Sequence, residues 1–268
     1  MGNSNTSQLR VLISNDDGIN APGINCLYKH IKKDYDTYVV APSEERSTTG
    51  HSLSLDHPVR LHPMVNDEKM FHCTGFPADS ILMGLGHVLK DKRPDIVVSG
   101  INRGANLSQD LYYSGTMAAA REAAFHMVPS IAVSLVIKRS GDHYHFDTAG
   151  EFIRRLLQTH IHTQMPRLSM LNVNVPNIPL AQIKGVKVTK MGFRYYSEKI
   201  DKKFDSRERS YYWICGNLEG FENFNGESDS EVVEQGYISV TPLGLLVDHP
   251  VDFNNVKTII HELHSYPH

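Results

Sequence analysis

Short apolar segments alternate with helical patterns over residues 11–175 of the 268-residue chain. The strand-like segments are 11–14, 38–41, 70–73, 95–99, 130–136 and 168–175. Apolar residues at helical spacing mark 22–33, 77–89, 114–127 and 148–160. This alternation predicts an α/β fold with a doubly wound, mostly parallel sheet that carries helices on both faces.

The pattern changes after residue 179. Strand-like segments at 186–189, 211–214 and 237–241 are separated by polar stretches without a strong helical pattern, and a final helix is predicted at 252–264. We expect a C-terminal β-hairpin extension that projects from the core and serves subunit pairing. The predicted organisation is a disordered polar tail at 1–8, a Rossmann-like catalytic core at 9–180, and hairpins with a C-terminal helix at 181–268 for oligomerisation.

Composition limits the partners that this chain could have. Its net charge of −3 gives no general attraction to nucleic acid or to anionic membranes. The chain contains neither an apolar run long enough to cross a bilayer nor a signal peptide. Cys26, Cys73 and Cys215 are few and far apart, which favours neither a disulfide framework nor a zinc site. We therefore expect a cytoplasmic protein with no nucleic-acid polymer and no membrane as partner.

The first predicted strand ends in Asn15, Asp16, Asp17 and Gly18. Two adjacent carboxylates repel each other, and a divalent cation bound by oxygen ligands commonly offsets that repulsion. The carboxyl ends of strands are also where open α/β sheets bind ligands. The alternative is an Asx turn that starts the next helix, since these are ordinary turn residues. From this segment alone both interpretations stay open.

Oxygen-bearing side chains follow other strands or open a helix. Ser47 lies in a hydroxyl-rich loop after the strand at 38–41, and on that segment alone a surface loop is the better interpretation. Asn102 and Asn106 follow the strand at 95–99; the first could offer an amide oxygen to a cation and the second could donate to a phosphate.

Ser114, Gly115 and Thr116 precede an alanine-rich helix. A helix N-terminus of this kind can bind an anion, and the alternative is a serine that only caps its own helix. Capping does not need the glycine, which favours anion binding. A cation site beside an anion site is the combination that chemistry on a phosphate ester needs.

The segments that carry this chemistry resemble those of the SurE family, the stationary-phase survival proteins, which are metal-dependent 5′/3′-nucleotidases. The resemblance covers residues 11–134, and the C-terminal half is compatible with it. The matching segments are ISNDDG at 13–18, VAP at 40–42 with Ser47, CTGFPAD at 73–79, VVSGINRGAN at 97–106 and YSGT at 113–116.

The resemblance implies one divalent cation per subunit, Mg²⁺ or Mn²⁺, and a homodimer or homotetramer. It also implies hydrolysis of nucleoside 5′-monophosphates, with nucleoside 3′-monophosphates and short polyphosphate as further substrates. The implied metal ligands are Asp16, Asp17, Ser47 and Asn102. The expected phosphate contacts are Asn106, Ser114, Gly115 and Thr116, and we place Asn15 with them.

Our mechanistic hypothesis is in-line attack by a metal-activated water, with Asp16 and Asp17 as the catalytic residues. Whether either carboxylate also acts as general base stays open, and His51 is the histidine to test as proton donor. An aspartyl-phosphate route is disfavoured, because phosphatases of the haloacid-dehalogenase type carry Asp-x-Asp and here the carboxylates are adjacent. The alternative from another class is a non-catalytic nucleotide-binding or sensor module on the same fold.

Overall fold

A computed structural model describes residues 8–137, 141, 143–222 and 227–246. The helices in these residues are α1 (Pro22–Ile31), α2 (Pro77–Met83), α3 (Gly115–Phe125), α4 (Phe146–Gln158) and α5 (Asp229–Glu234). The strands of the first part are β1 (Arg10–Ser14), β2 (Asp36–Pro42), β3 (Leu61–Met64), β4 (Asp67–Cys73), β5 (Ile96–Arg103), β6 (Ser130–Val136) and β7 (Ser169–Pro176). The later strands are β8 (Val186–Val188), β9 (Phe193–Tyr196), β10 (Ile200–Phe204), β11 (Ser210–Ile214), β12 (Leu218–Glu222) and β13 (Ile238–Gly244).

The main sheet has the strand order β3-β4-β2-β1-β5-β6-β7-β13-β8 among the described residues. Strands β4, β2, β1, β5, β6 and β7 run parallel, whereas β3 and β13 are antiparallel to β4 and β7. The chain moves outward from β1 in one direction through β2 and in the other through β5. This topological switch point is where a doubly wound sheet opens a crevice at the carboxyl ends of its strands. The predicted α/β fold class is confirmed.

Helices cover both faces of the sheet, and the alternation of side chains along each strand supplies both cores. Val11 and Ile13 of β1 point into the core under α1 and α4, while Leu12 between them points into the core under α2 and α3. Helix α3 lies close to the sheet because its inner face is alanine: Ala119, Ala120 and Ala123 are fully buried. This close packing fixes the N-terminus of α3 beside the end of β1.

The C-terminal strands agree in part with the predicted hairpin extension. Strands β9 to β12 lie outside the main sheet, where β10 and β11 form a hairpin and the flanking strands β9 and β12 pair antiparallel with each other. Strands β8 and β13 join the main sheet instead of projecting from it. The sequence pattern does not predict strands β3, β9, β10 and β12 or the short helix α5. The predicted helix at 252–264 lies outside the described residues, and the domain boundaries stay predictions. None of the helices in the described part of the chain combines the length and apolar composition that spanning a bilayer requires.

Candidate active site

Asn15 shapes the turn that follows β1. Its amide nitrogen donates to the carbonyl oxygen of Gly18 at 2.9 Å, and its amide oxygen accepts from the Gly18 N–H at 3.2 Å. Gly18 has a φ of +95°, a conformation that glycine adopts without strain. Asn15 itself is fully buried. Its side chain therefore holds the turn that presents Asp16 and Asp17, and its contact with phosphate stays a prediction.

Asp16 meets the first turn of α3. The hydroxyl of Thr116 donates a hydrogen bond to the Asp16 carboxylate, and the backbone of Thr116 also interacts with that carboxylate. A Cβ at Gly115 would lie 2.7 Å from Cβ of Asp16 and 3.0 Å from Cγ of Pro77, so this position has no room for a side chain. The acidic end of β1 and the N-terminus of α3 therefore converge on one point, as the sequence analysis requires.

Burial makes the ionised form of the Asp16 carboxylate unfavourable. Its side chain is almost entirely inside the protein, and this burial raises the pKa of the carboxyl to about 6. The hydrogen bond from Thr116 lowers the pKa, and the neighbouring Asp17 carboxylate raises it, but burial has the largest effect. A positive charge beside Asp16 would offset this cost.

Asp17 points into a different part of the site from Asp16. Its Oδ2 accepts a hydrogen bond from the backbone N–H of Arg103 at 3.0 Å, and burial raises the pKa of its carboxyl. It lines a cleft of about 170 Å³ together with Glu45 and Arg103. Because Arg103 also lines the main cavity, the two spaces are neighbours.

The main cavity has a volume of about 380 Å³ and lies at the carboxyl ends of β1 and β5. It brings together predicted site residues from four separate segments of the chain. Those predicted residues are Asp16, Ser47, Asn102, Asn106 and Ser114, and the other lining residues are Thr48, Arg103, Gly104, Ala105, Asp110 and Tyr113.

Hydrogen bonds hold the segments that carry Ser47 and Asn102, the two uncharged candidate metal ligands, at this cavity. The N–H of Arg46 donates to the carbonyl oxygen of Asp16 at 2.7 Å, which ties the loop after β2 to the end of β1. The next residue, Ser47, is exposed and donates its hydroxyl to Oε1 of Glu45 at 2.8 Å. The amide nitrogen of Asn102 donates to the carbonyl of Gly104 at 3.1 Å, so its amide oxygen is the atom that could bind a cation.

A network of asparagines holds Asn106. Its backbone carbonyl accepts hydrogen bonds from the amide nitrogens of Asn172 at 2.8 Å and Asn174 at 2.9 Å, and its own amide nitrogen donates to Oγ of Ser134 at 2.8 Å. Asn172 and Asn174 are fully buried on one face of β7. These two asparagines are not among the predicted site residues. Two asparagines at alternate positions of an apolar strand are nevertheless a sequence pattern that could have indicated a buried polar network.

Ser114 caps α3, since its hydroxyl oxygen accepts from the N–H of Met117 at 3.1 Å. A serine hydroxyl that accepts one hydrogen bond can still donate its own proton. His51, in contrast, is not among the cavity's lining residues: its Nε2 lies 2.8 Å from Oε2 of Glu122 in α3, and its ring stacks on Phe125. This hydrogen bond lowers the pKa of Glu122.

Comparison with known proteins agrees with this geometry. The family model described as "Survival protein SurE" matches residues 11–198. The chain belongs to the SurE family. A protein of Alkaliphilus metalliredigens named 5′-nucleotidase SurE is 39% identical over 254 residues, which are 94% of this chain and 98% of the relative.

Other SurE proteins give the same result. A 5′-nucleotidase SurE of Geobacter metallireducens is 41% identical over 93% of this chain and 97% of its own length. One from Geotalea daltonii is 43% identical over 88% of this chain and 93% of its own length. The crystal structure of the SurE protein from Aquifex aeolicus has a TM-score of 0.78 at 34% identity and covers 95% of this chain and 99% of its own.

Within this SurE site, Asp110 is a residue that the sequence analysis missed. Its Oδ2 accepts from Nη1 of Arg194 at 2.9 Å and from the hydroxyl of Tyr196 at 2.5 Å, so strand β9 contacts the edge of the main cavity. Gln109 adds two hydrogen bonds to the backbone of Arg194. The partners are 84 residues apart, and no local pattern connects them.

The side chains at the SurE site fit a hard divalent cation. The donors are carboxylate, hydroxyl and amide oxygens, which Mg²⁺ and Mn²⁺ prefer over softer ligands. Asp16 is 3% exposed, so its carboxylate has little contact with solvent that could stabilise its charge. The donor chemistry and this buried carboxylate agree with a cation at the end of β1.

Proposed function

We propose that this chain is a metal-dependent phosphomonoesterase that hydrolyses nucleoside 5′-monophosphates to nucleoside and phosphate. The observation that carries the proposal is the contact between Asp16 and the first turn of α3, which joins an acidic strand end to an anion-binding helix end. Membership of the SurE family, with relatives named 5′-nucleotidase, supports the same substrate class.

Asp16, Ser47 and Asn102, which line the main cavity, and Asp17, which lines the neighbouring cleft, would hold one Mg²⁺ or Mn²⁺ per subunit. When bound, such a cation neutralises phosphoryl charge and lowers the pKa of a coordinated water. Thr116, which the resemblance places among the phosphate contacts, acts in this proposal as a positioning residue instead, because its hydroxyl donates to Asp16. Arg103 positions Asp17 through its backbone N–H.

The phosphate oxygens would be bound by Asn106, Ser114 and the backbone N–H of Gly115 at the start of α3. These donors are fixed before substrate binds: Ser114 by its capping bond and Asn106 by the asparagine network. Fixed donors stabilise charge that develops on the phosphoryl oxygens in the transition state. Tyr113 is 65% exposed at the cavity and can stack on the nucleoside base.

Phosphate release from a panel of substrates tests this function. The panel contains nucleoside 5′- and 3′-monophosphates and short polyphosphate, each with Mg²⁺, with Mn²⁺ and with a chelator. We expect release from 5′-monophosphates that chelator abolishes and that Asp16→Asn reduces by at least about a hundredfold. Tight nucleotide binding without release under every metal condition would instead support the sensor module.

We also propose that the subunit assembles as a homodimer or homotetramer in the cytoplasm. The hairpin strands carry exposed apolar side chains in a continuous run, at Tyr211, Tyr212, Trp213 and Ile214. Exposed apolar patches of this kind typically mark protein contacts. The three cysteines are free thiols, which fits a reducing compartment. Sedimentation at increasing concentration should give a mass above that of one chain, and Trp213→Glu should reduce it.

A further inference from the structure

A cluster of cysteine, histidine and aspartate lies between α1 and α4, outside the proposed active site. Cys26 and His30 are one turn apart on α1, and Asp147 is in the first turn of α4. The Sγ of Cys26 and the Nε2 of His30 lie 3.6 Å and 2.9 Å from Oδ1 of Asp147. One ligand atom from each residue lies within 4.8 Å of the other two.

Tight packing of the two helices fixes the histidine ring. A Cβ at Gly150 would lie 2.6 Å from Cδ2 of His30, so only glycine at this position lets the ring fit against α4. The other ring nitrogen, Nδ1, lies 3.9 Å from Oε2 of Glu151. Glu151 is itself held by Arg154 and Arg155. At 3.9 Å, Nδ1 of His30 makes no hydrogen bond to Glu151, so the carboxylate places a negative charge near the ring but does not fix its orientation.

The donor atoms differ in kind from those of the proposed active site. A thiol sulfur, an imidazole nitrogen and a carboxylate oxygen together suit zinc and other borderline divalent ions, whereas Mg²⁺ prefers oxygen alone. Burial and the neighbouring Asp147 raise the pKa of the Cys26 thiol to about 12, so a cation that binds here must displace the thiol proton.

We propose that Cys26, His30 and Asp147 form a second cation site, which binds one zinc ion or a similar borderline divalent ion and links α1 to α4. A cleft of about 380 Å³ lies beside it and is lined by His30 and Asp147, though not by Cys26. The cleft carries acids and bases in balance, with Asp34, Asp147 and Glu151 facing Lys29, Lys33 and Arg154, so its charge does not exclude a cation. Water would complete the coordination of the ion.

This site could not be predicted from the cysteine count, because its ligands come from helices 121 residues apart in sequence. It also does not depend on the proposed hydrolase activity. The alternative is a metal-free contact in which the Cys26 thiol and the His30 ring only donate hydrogen bonds to Asp147. Cobalt spectroscopy separates the two, since only a metal–thiolate bond gives a sulfur-to-cobalt charge-transfer band.

The test uses the full chain, stripped of metal and titrated with Co²⁺ in excess Mg²⁺ so that oxygen-only ligands are occupied. We expect a charge-transfer band that saturates at one Co²⁺ per chain. Cys26→Ser should abolish the band, and Cys215→Ser, which changes another partly exposed thiol, should keep it. Absence of the band in the unmodified chain, or an equal band in Cys26→Ser, would overturn the proposal.

A second measurement guards against misfolding of the cysteine variant. Asp147 is largely exposed, so Asp147→Asn should fold normally by circular dichroism. We expect this variant to bind zinc at least about tenfold more weakly by calorimetry. Zinc should also raise the melting temperature of the unmodified chain and not that of Cys26→Ser. Equal zinc affinity in Asp147→Asn and the unmodified chain would contradict the assignment of Asp147 as a ligand.

Discussion

The guanidinium of Arg194 donates a hydrogen bond to Oδ2 of Asp110 at 2.9 Å and so fastens strand β9 to the edge of the main cavity. The two side chains are only 13% and 22% exposed, so water screens this ion pair weakly. We predict that Arg194→Met lowers the free energy of unfolding by about 1–3 kcal/mol, because it leaves a largely buried carboxylate without its cation. Urea denaturation measures this change.

The same variant should affect substrate binding more than the chemical step. Asp110 lines the cavity but is not among the residues proposed to bind the phosphate, so we expect KM for the nucleotide to rise more than kcat falls. Lys203→Met, on the exposed strand β10, is the matched control and should change neither value. Equal effects of the two substitutions would show that the ion pair has no special role.

Gly115 is predicted to be intolerant of even a methyl group. The added Cβ of Gly115→Ala would lie 2.7 Å from Cβ of Asp16, so the start of α3 must move away from the strand end. Such overpacking typically costs about 1–3 kcal/mol of stability. Because the displacement separates the anion-binding and acidic parts of the site, we expect kcat/KM to fall by at least about a hundredfold.

Gly86→Ala is the control for this substitution. It also lies in a helical turn, and among the described residues no heavy atom lies within 4 Å of a Cβ built there. We expect unchanged kinetics and an unchanged or slightly higher melting temperature. Full activity in Gly115→Ala would mean that the contact between Asp16 and α3 is not required for hydrolysis.

The stability of the chain without divalent cations should fall as pH rises from about 4 to about 6. Asp16 has a folded-state pKa of about 6 against an ordinary value of 3.8, because it is buried. In this interval the folded state holds a proton that the unfolded state has released, so raising the pH favours unfolding. The shift corresponds to about 3 kcal/mol at most. Asp17, whose pKa is also raised, acts in the same direction.

Denaturation in chelator across this pH range measures the effect. Asp16→Asn keeps the oxygen that accepts from Thr116 but has no titrating proton, so we expect a smaller slope and, above pH 6, a more stable protein than the unmodified chain. Mg²⁺ should restore stability to the unmodified chain and not to this variant. A slope that is the same in both proteins would exclude Asp16 as its source.

The fold could be predicted from local patterns because each buried strand and each amphipathic helix is one continuous segment with its own hydrophobic pattern. The observed strand β6 has the predicted bounds, and α1 and α3 end within two residues of theirs. The segment predicted as a helix at 77–89 is helical to Val88, but the α-helix ends at Met83 and a π-helical turn continues it. There, a Cβ at Gly84 would lie 2.7 Å from Leu12, so sheet contacts that the sequence does not reveal shape the turn.

Long-range pairing is the part that local patterns miss. The alternating pattern of a strand does not identify the neighbouring strand in the sheet. The sequence therefore predicts β13 in a projecting hairpin, although this strand pairs with β7 in the main sheet. In the candidate site, the segments after β1, β2 and β5 could be grouped because parallel strands end at one edge. The contact of Asp110 with Arg194 involves strand β9, which lies outside the main sheet. The rule that parallel strands end at one edge of a sheet therefore does not predict it.

Ser114 caps α3 and is also proposed to bind phosphate, and comparison with a second capping serine can distinguish these two roles. Its hydroxyl accepts from the N–H of Met117 at 3.1 Å, and the hydroxyl of Ser228 accepts from the N–H of Glu231 at 3.2 Å in the same way at the start of α5. Replacing either serine with alanine removes a helix cap, and each should lower the free energy of unfolding by about 1 kcal/mol. Thermal or urea denaturation measures both.

Only Ser114→Ala should impair hydrolysis. Ser114 lines the cavity and can donate its proton to a phosphate oxygen, whereas Ser228 is not among the cavity's lining residues. The loss of one fixed donor to a phosphoryl group predicts a decrease in kcat of about a hundredfold. If the two alanine variants lose stability equally and both keep full activity, Ser114 only caps its helix, and phosphate binding at the start of α3 must rest on backbone N–H groups alone.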